Sequence, residues 1–565
     1  MAKRHLILFW LSVCLALVFT STTQLSAASL LGDDWETFFR DKVSFRGFAE
    51  NITGLSVSDG DRHFNTSNRL DMQRFTIQPE INIEATDWAK FFISWRFVKE
   101  IRYSAEAKSR ERSVSYFPTA PVKPLRNTYY DEYKPKPWEA VLDLSPTDAL
   151  KIRLGRQFIS WGETDGVRLL DVINPQDLTF SPPAAPNLFN LDETRIPSWG
   201  LRTLYTIQPV TNTILEFFAL PGFFDEAKQR VDEIVGSNDT GDRKVRYGRW
   251  SAHPETRLIL AGRNAFGNMF ADPINPGGCA GLGCLVIPST SRELPDAGDS
   301  WKIGARLSHS LGKLNFGLGY IWGFNPQSTD MVFKLTGRSC AGAPIACTLG
   351  LAPTVAKLKL TNDRTNIFAG QMNYPVGDIF DVPVNTTVRG ELAFFPNKPY
   401  NISKFPGAYG LRATADPKYP DGVVEKNTLR YALGFDRTTL IPFLHPDDPW
   451  RAFSLSFQIF QSIIFDHEDG IHPFSTAEKI KRVTTTLTFR IGTGYAGDTI
   501  LPDVFIGYDP EGYWTANPAI SYVPPGNEKI KFSLVGAFYG GRNKFKSFGF
   551  FDEKDSVFLK MRYQF

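Results

Sequence analysis

Beyond its first residues the chain has no uncharged apolar run near the roughly 20 residues that a membrane helix needs. Its mean hydropathy is −0.21, so a polytopic helical membrane protein is excluded. An excess of one charge is lacking too, with 63 Lys and Arg against 60 Asp and Glu, and no global field points to nucleic acid as a partner. Cysteine is scarce, five in 565 residues. Catalytic signatures are missing: there is no nucleotide-binding glycine loop, no Gly-x-Ser-x-Gly elbow and no His-Glu-x-x-His. No Ser/His/Asp set converges by sequence, so no enzyme, catalytic residue or cofactor is expected. What the chain has in quantity is Phe (46), Tyr (19), Trp (12), Gly (45) and Pro (38). That mix suits aromatic-rich strands and long loops and excludes a helical bundle.

The one apolar run has the form of an export signal: Lys3, Arg4 and His5, then Leu6 to Phe19, then Ser26-Ala27-Ala28 for cleavage. Residues 1–28 are therefore expected to be a signal peptide. Their removal takes two bases and no acid, leaving a net charge near +1. Cys14 goes with the signal. The remaining Cys279, Cys284, Cys340 and Cys347 form C-x4-C and C-x6-C pairs in Gly/Pro-rich stretches. An even count in an oxidising compartment reads as two local disulfides, with cross-pairing as the other connectivity, rather than as a metal site.

Across the mature chain apolar and polar residues alternate over segments of about ten. Phe453, Leu455, Phe457 and Ile459 interleave with Ser454, Ser456 and Gln458, and Leu487, Phe489 and Ile491 with Thr486, Thr488 and Arg490. This is the period of a strand with one lipid face and one water face. A soluble β-sandwich would also alternate. Here the polar positions are repeatedly Ser, Thr, Gln, Arg and Gly, aromatics gather at segment ends, and the chain closes on Val557, Leu559, Met561, Tyr563 and Phe565. That ending resembles the recognition signal of Gram-negative outer-membrane barrels. The expected fold is all-β, a transmembrane antiparallel β-barrel over 43–565 in the outer membrane of a Gram-negative bacterium. Residues 29–42 form a short periplasmic segment before it. Its partners are outer-membrane lipids and, through Phe565, the barrel-assembly machinery.

A coarse count gives 19 strands. Single-chain bacterial barrels use even numbers, and the alternation of short turns and long loops breaks once, between Gly323 and Thr361. About 18 strands are expected, with 16 and 20 as neighbours. Long connections at 52–68, 104–137, 162–198, 222–300, 396–426 and 539–556 are read as external or folded into the lumen. The stretch Asp466 to His472, rich in plausible ligands at uneven spacing, is read as a solvated external loop, and no metal site is expected.

On the inward face the basic positions include Arg46, Arg96, Lys151, Arg153, Lys302, Arg306, Arg389, Arg430, Arg490, Lys531, Lys560 and Arg562, and the acidic ones Glu50, Glu80, Glu391 and Asp436. Bases in the wall of a low-dielectric tube focus a positive field, which favours anions. Arg46, Arg96, Lys151, Arg153, Gln157, Arg306, Arg389, Arg430 and Arg490 are the candidates for the solute path.

Two motifs carry a family resemblance. Arg153 to Glu163, Arg-Leu-Gly-Arg-Gln-Phe-Ile-Ser-Trp-Gly-Glu, is followed by Asp171-Val172-Ile173-Asn174-Pro175-Gln176-Asp177, and the chain opens on Phe45-Arg46-Gly47-Phe48-Ala49-Glu50-Asn51 with Thr53-Gly54-Leu55. These resemble domain-of-unknown-function family 1302, exported Gram-negative proteins that often accompany RND-type transporters. The resemblance is good over 43–220 and diffuse afterwards. It implies an outer-membrane barrel that moves hydrophobic or amphiphilic compounds, with an RND-type inner-membrane partner, and it transfers no catalytic residue. Physically the signature is a strand running into an inserted loop. Lys151, Arg153 and Gln157 face the lumen, Trp161 and Gly162 mark the rim, and Asn174-Pro175 fixes a turn as the chain folds back. Arg156 breaks the outward row of Ile152, Leu154 and Phe158 and is expected to pair with Glu163 or Asp171, or to mark a bulge.

The favoured reading is thus a channel or transporter for hydrophobic or amphiphilic, anionic solutes. The alternatives are a general diffusion porin and a non-transporting barrel, either an outer-membrane enzyme or a sleeve for an electron-transfer partner.

Overall fold

The computed structural model of the protein describes residues 40–57, 70–100, 137–164, 166–167, 169–175, 182, 184–189, 195–221, 286–293, 299–324, 331–340, 354–377, 385–402, 418–472, 479–542, 547–552 and 554–565. The expected signal peptide and Cys279, Cys284 and Cys347 lie outside them, as does the side chain of Cys340.

In chain order the strands are β1 (Val43–Ser56), β2 (Leu70–Thr86), β3 (Ala89–Trp95), β4 (Phe97–Glu100), β5 (Pro137–Thr147), β6 (Leu150–Gln157), β7 (Ser198–Gln208) and β8 (Thr213–Leu220). They continue with β9 (Val286–Glu293), β10 (Lys302–Leu311), β11 (Leu314–Phe324), β12 (Met331–Cys340), β13 (Thr354–Asn362), β14 (Arg364–Val376), β15 (Thr386–Ile402) and β16 (Val423–Leu440). The last are β17 (Ala452–Ile464), β18 (Ile471–His472), β19 (Val483–Gly492), β20 (Ile500–Asp509), β21 (Tyr513–Tyr522), β22 (Ile530–Gly541) and β23 (Ser556–Gln564).

Among the described residues eighteen staves close into one antiparallel barrel. Neighbours in sequence pair throughout, β3 and β4 together make one stave interrupted at Arg96, and β1 pairs with β23 to shut the wall. Closure leaves no free edge, which is the condition for a sheet in lipid. At the seam Gly47 and Phe565 exchange two main-chain hydrogen bonds of 3.0 Å. The Phe565 ring stacks on Phe45 at 5.5 Å and lies where a Cβ on Gly47 would be, 2.8 Å away, so a larger residue at 47 would push the terminal ring off the seam.

The parity break in the sequence count has a physical reason. β12 and β13 do not enter the wall; they form a separate sheet in which β13 also pairs in parallel with β9. The extra stave was counted in that stretch. Loop boundaries move as well: β1 runs to Ser56, past the loop expected from 52; β15 runs to Ile402 and β16 starts at Val423, both inside the loop expected over 396–426; β22 runs to Gly541, past the loop expected from 539; and β9 lies inside the loop expected over 222–300.

The alternation sorts the side chains as a two-solvent wall requires. Phe217, Leu318, Phe368, Leu392, Phe457, Ile520 and Leu559 are exposed on stave after stave, while Gln458, Thr488 and Ser533 are buried on the inside. So much contiguous outward apolar surface is not stable against water. Short turns, such as 209–212 and 312–313, lie at the end that carries Val43 and Phe565, and the longer connections mostly lie at the other.

Candidate functional site

After β6 the chain does not return along the wall; the described residues of 158–197 turn into the bore and reach both of its sides. Asn174 ties the two ends of this insert together. Its side-chain amide donates to the carbonyls of Gln157 (3.2 Å) and Ile196 (3.1 Å), and its oxygen accepts the Ile159 N–H at 2.7 Å. Arg195 donates to Asp171 at 2.7 Å and to Ser160 at 3.1 Å. Both members of that ion pair are buried, a geometry in which losing either one strands the other's charge.

On one side of the bore the insert buries Ile159, Trp161, Leu169, Leu170, Val172 and Ile173 against wall residues that include Phe218, Ile321, Ile367, Phe395 and Phe460. Trp161 meets Phe218 edge-on at 5.3 Å and Arg306 sits over its ring at 5.2 Å. The wall is hollowed for it, since a Cβ on Gly319 would come within 2.9 Å of the indole. Trp161 and Gly162 therefore do not mark the rim: Trp161 is 2% exposed inside the bore, and Gly162 packs on Asp171 and Glu391. The alternation ends at Gln157, which made the rim the natural place for them. The seven apolar residues interspersed between Ile159 and Ile173, many for a solvated loop, are the signal that points inward instead.

The wall also grips the insert's backbone. Glu391 accepts the N–H groups of Glu163, Thr164 (2.9 Å) and Leu170 (3.3 Å), while Arg389 and Lys302 donate to the carbonyls of Glu163 and Val172. Across the bore, Asn187 donates to the side chain and the backbone carbonyl of Asn517 at 3.3 and 3.1 Å and accepts from Arg490 at 3.3 Å. Lys560 donates to the Leu188 carbonyl at 2.7 Å, and Leu188 and Phe189 pack with Ile52, Met72, Val535 and Phe558.

The expected path residues separate into groups. Arg389 pairs with Asp436, Arg490 with Asp503 (3.0 Å) and Arg153 with Asp143 (2.6 Å). Arg306 shares Glu216 with Arg202. Arg46 pairs with Glu80 at 2.9 Å at the terminal end. Arg96 lies over Trp138 at 4.2 Å and Arg430 over Phe395 at 4.9 Å. Gln157 is buried and donates to the Gly200 carbonyl at 3.0 Å; Lys151 is exposed. Arg156 donates to the Trp138 carbonyl at 3.0 Å. Asp143, Glu216 and Asp503 were not among the inward acids read from sequence, so wall acids offset more of the bases than the sequence implied. Asn187, Arg195 and Asn517 were missed too, because each acts through a partner far away in sequence.

At the terminal end, under the insert, the bore opens into a chamber of about 970 Å³. Its lining carries Arg389, Arg451, Arg490, Lys531, Lys560 and Arg562 against Asp436, Asp498 and Asp503.

The stretch Asp466–His472 at the opposite end has another use. Glu468 takes Lys418, Lys426 (both 2.8 Å) and the Tyr419 hydroxyl, and these donors, Lys418 foremost, hold its carboxyl down at about 2. Asp469 pairs with Lys479 at 2.7 Å and His467 hydrogen-bonds the Ile480 carbonyl. The stretch ties loops together, and among the described residues no group of three or more His, Cys, Asp or Glu is placed to hold a metal ion.

A family model described as Protein of unknown function (DUF1302) matches residues 11–565. No curated protein matches the chain. Among solved structures, similarity is found to Acinetobacter baumannii OccAB3 (9% identity, 93% of this chain and 99% of that one, TM-score 0.42). It is also found to Pseudomonas aeruginosa opdK, an outer membrane protein (9%, 93% and 99%, TM-score 0.40). A third is Pseudomonas aeruginosa OccK2 (OpdF) in complex with glucuronate (7%, 93% and 97%, TM-score 0.41). At that level of correspondence the barrel rests on its own strand pairing.

Proposed function

The chain belongs to the DUF1302 family, and from that premise we propose that it is an outer-membrane channel for amphiphilic solutes bearing a negative charge. The outward apolar rows and the closed hydrogen-bonded wall support placement in a lipid bilayer. The end carrying Val43 and Phe565 then faces the periplasm, and the long loops face outward.

The observation that carries the reading is the insert. A general diffusion porin needs an open aqueous bore, whereas here the described residues of the insert are bonded to the wall on both of its sides. Displacing the insert would uncover the apolar surfaces around Trp161 and Phe460 and around Phe189 and Phe558, which it now buries against the wall, in series with the basic chamber. That succession suits a molecule with an apolar body and an anionic head. Delivery to or from an RND-type inner-membrane transporter is the partnership that the family resemblance favours. The test has two stages. The protein should fractionate with the outer membrane and migrate faster unheated than boiled, because a closed barrel resists detergent. In planar bilayers it should conduct weakly, with deletion of 160–195 raising conductance several-fold. Recovery as a soluble periplasmic protein, or no gain on deletion, would defeat the proposal.

A further inference from the structure

Among the described residues the charges lining the terminal chamber do not cancel, six bases against three acids. Arg389 has Asp436, Arg490 has Asp503 at 3.0 Å and Arg451 has Asp498. Lys560 (3.0 Å) and Arg562 (3.6 Å) both pair with Glu50, which is buried. Lys531 makes no ion pair or hydrogen bond among the described residues, although it lines the chamber. Register makes its position costlier still. On β22 Lys531 stands directly opposite Arg562 of β23, and Ser533, two residues on, stands opposite Lys560. Like charges facing each other across two strands destabilise a sheet.

An ammonium that makes no ion pair or hydrogen bond among the described residues, set beside Arg562 and Lys560 in the lining of a chamber large enough for a small organic molecule, is placed to take an anion. We propose that Lys531, with Arg562 and Lys560, forms a station that receives the carboxylate of a small organic acid at the periplasmic mouth. A carboxylate fits better than a dianion, because Glu50 already offsets part of the positive charge, and hydroxyl donors stand close by in Ser521 and Ser533, which hydrogen-bond each other at 2.8 Å. Leu501, Pro502 and Ala519 of the same lining offer apolar contact for the rest of the acid. The inference deepens the channel reading and rests on it for its role in passage, but the binding event itself is independent of conduction.

The test is equilibrium dialysis of the full-length protein in detergent micelles, with benzoate as probe and benzamide as its neutral counterpart. Benzoate should bind saturably, about tenfold or more weaker in Lys531→Gln, since one charge-assisted contact is lost, near wild type in Lys531→Arg, and more weakly as salt rises. Benzamide should not bind. Lys531→Gln relieves the repulsion with Arg562, so it should keep the heat-modifiable shift. Arg562→Gln is the second variant and should weaken benzoate several-fold. Saturable binding that neither variant weakens, equal binding of benzamide, or no saturable binding in the wild type overturns the proposal. Conductance without benzoate binding removes the station and leaves the channel reading, whereas binding without conductance does the reverse.

Discussion

Glu391→Ala is the sharpest probe of the insert, because one wall carboxylate holds three of its backbone N–H groups. Glu391 is 5% exposed, and its acceptors face Glu163, Thr164 at 2.9 Å and Leu170 at 3.3 Å. Hydrogen bonds to a charged group contribute about 1.5–3 kcal/mol each. The third is long, and removing a buried carboxylate also removes its own desolvation cost, which offsets several kcal/mol. A net loss of about 2 kcal/mol in the docking of residues 160–171 follows, roughly a thirtyfold rise in the undocked fraction. It does not empty the bore. Trp161, Leu170 and Ile173 remain packed on the wall, at about 1.5–3 kcal/mol for each fully buried large side chain. Single-channel recording should therefore show a low-conductance ground state with more frequent openings to a larger level, and limited proteolysis should cut within 160–171 sooner than in the wild type. Glu391→Gln keeps one acceptor oxygen and should fall between. Asn187→Ala loosens the other attachment, and since the two sites share no partner their effects on opening should add in free energy. If Glu391→Ala opens no more often than the wild type and is cut no faster, the carboxylate does not hold the insert and the reasoning fails.

A Leu at position 319 would drive its side chain into the Trp161 indole, 2.9 Å from where the Cβ begins. Gly319→Leu should cost about 1–3 kcal/mol and shift Trp161 fluorescence toward a wetter environment, an outcome absent if the indole stood at the rim. Glu468 is held at about 2 by Lys418, Lys426 and Tyr419, so its tie is present above the ordinary carboxylate value and lost as pH falls through about 2. Protease protection of 418–472 should persist at pH 4 and vanish near pH 2, while Glu468→Gln should lose it at pH 7. Non-reducing peptide mapping should link Cys279 to Cys284 and Cys340 to Cys347, and free thiols in the mature protein would contradict that pairing.

The wall was legible because a period of two has one physical cause, a lipid face against a water face. It put the first stave at Val43 and the last at the carboxyl end, where β1 and β23 lie. Periodicity says nothing of which sheet a strand joins, so the stretch between Gly323 and Thr361, where β12 and β13 form a separate sheet, broke the parity of the count. It says nothing either of where a loop goes. Residues 158–197 are recognisable as an insert, but the contacts between Asn187 and Asn517, 330 positions apart, arise only when the barrel closes and brings β21 across from β6.

Charge pairing was the least legible part, and the reason changes what the bases do. Each inward Arg was identified stave by stave, but its partner sits on the next stave: Asp143 beside Arg153, Glu216 between Arg202 and Arg306, Asp503 beside Arg490. A paired guanidinium contributes little long-range field, because the adjacent carboxylate cancels most of it within a few ångströms. Reversing Arg153, Arg389 and Arg490 to Glu would place like charges side by side, so a shift in selectivity from such a variant would report distortion as much as lost attraction. The positive field that remains comes from places where bases outnumber their acids, chiefly Lys531 with the Lys560–Glu50–Arg562 triad at the terminal mouth. The proposed preference for anions therefore rests on the bases at one end, beyond the insert, more than on the paired bases along the wall.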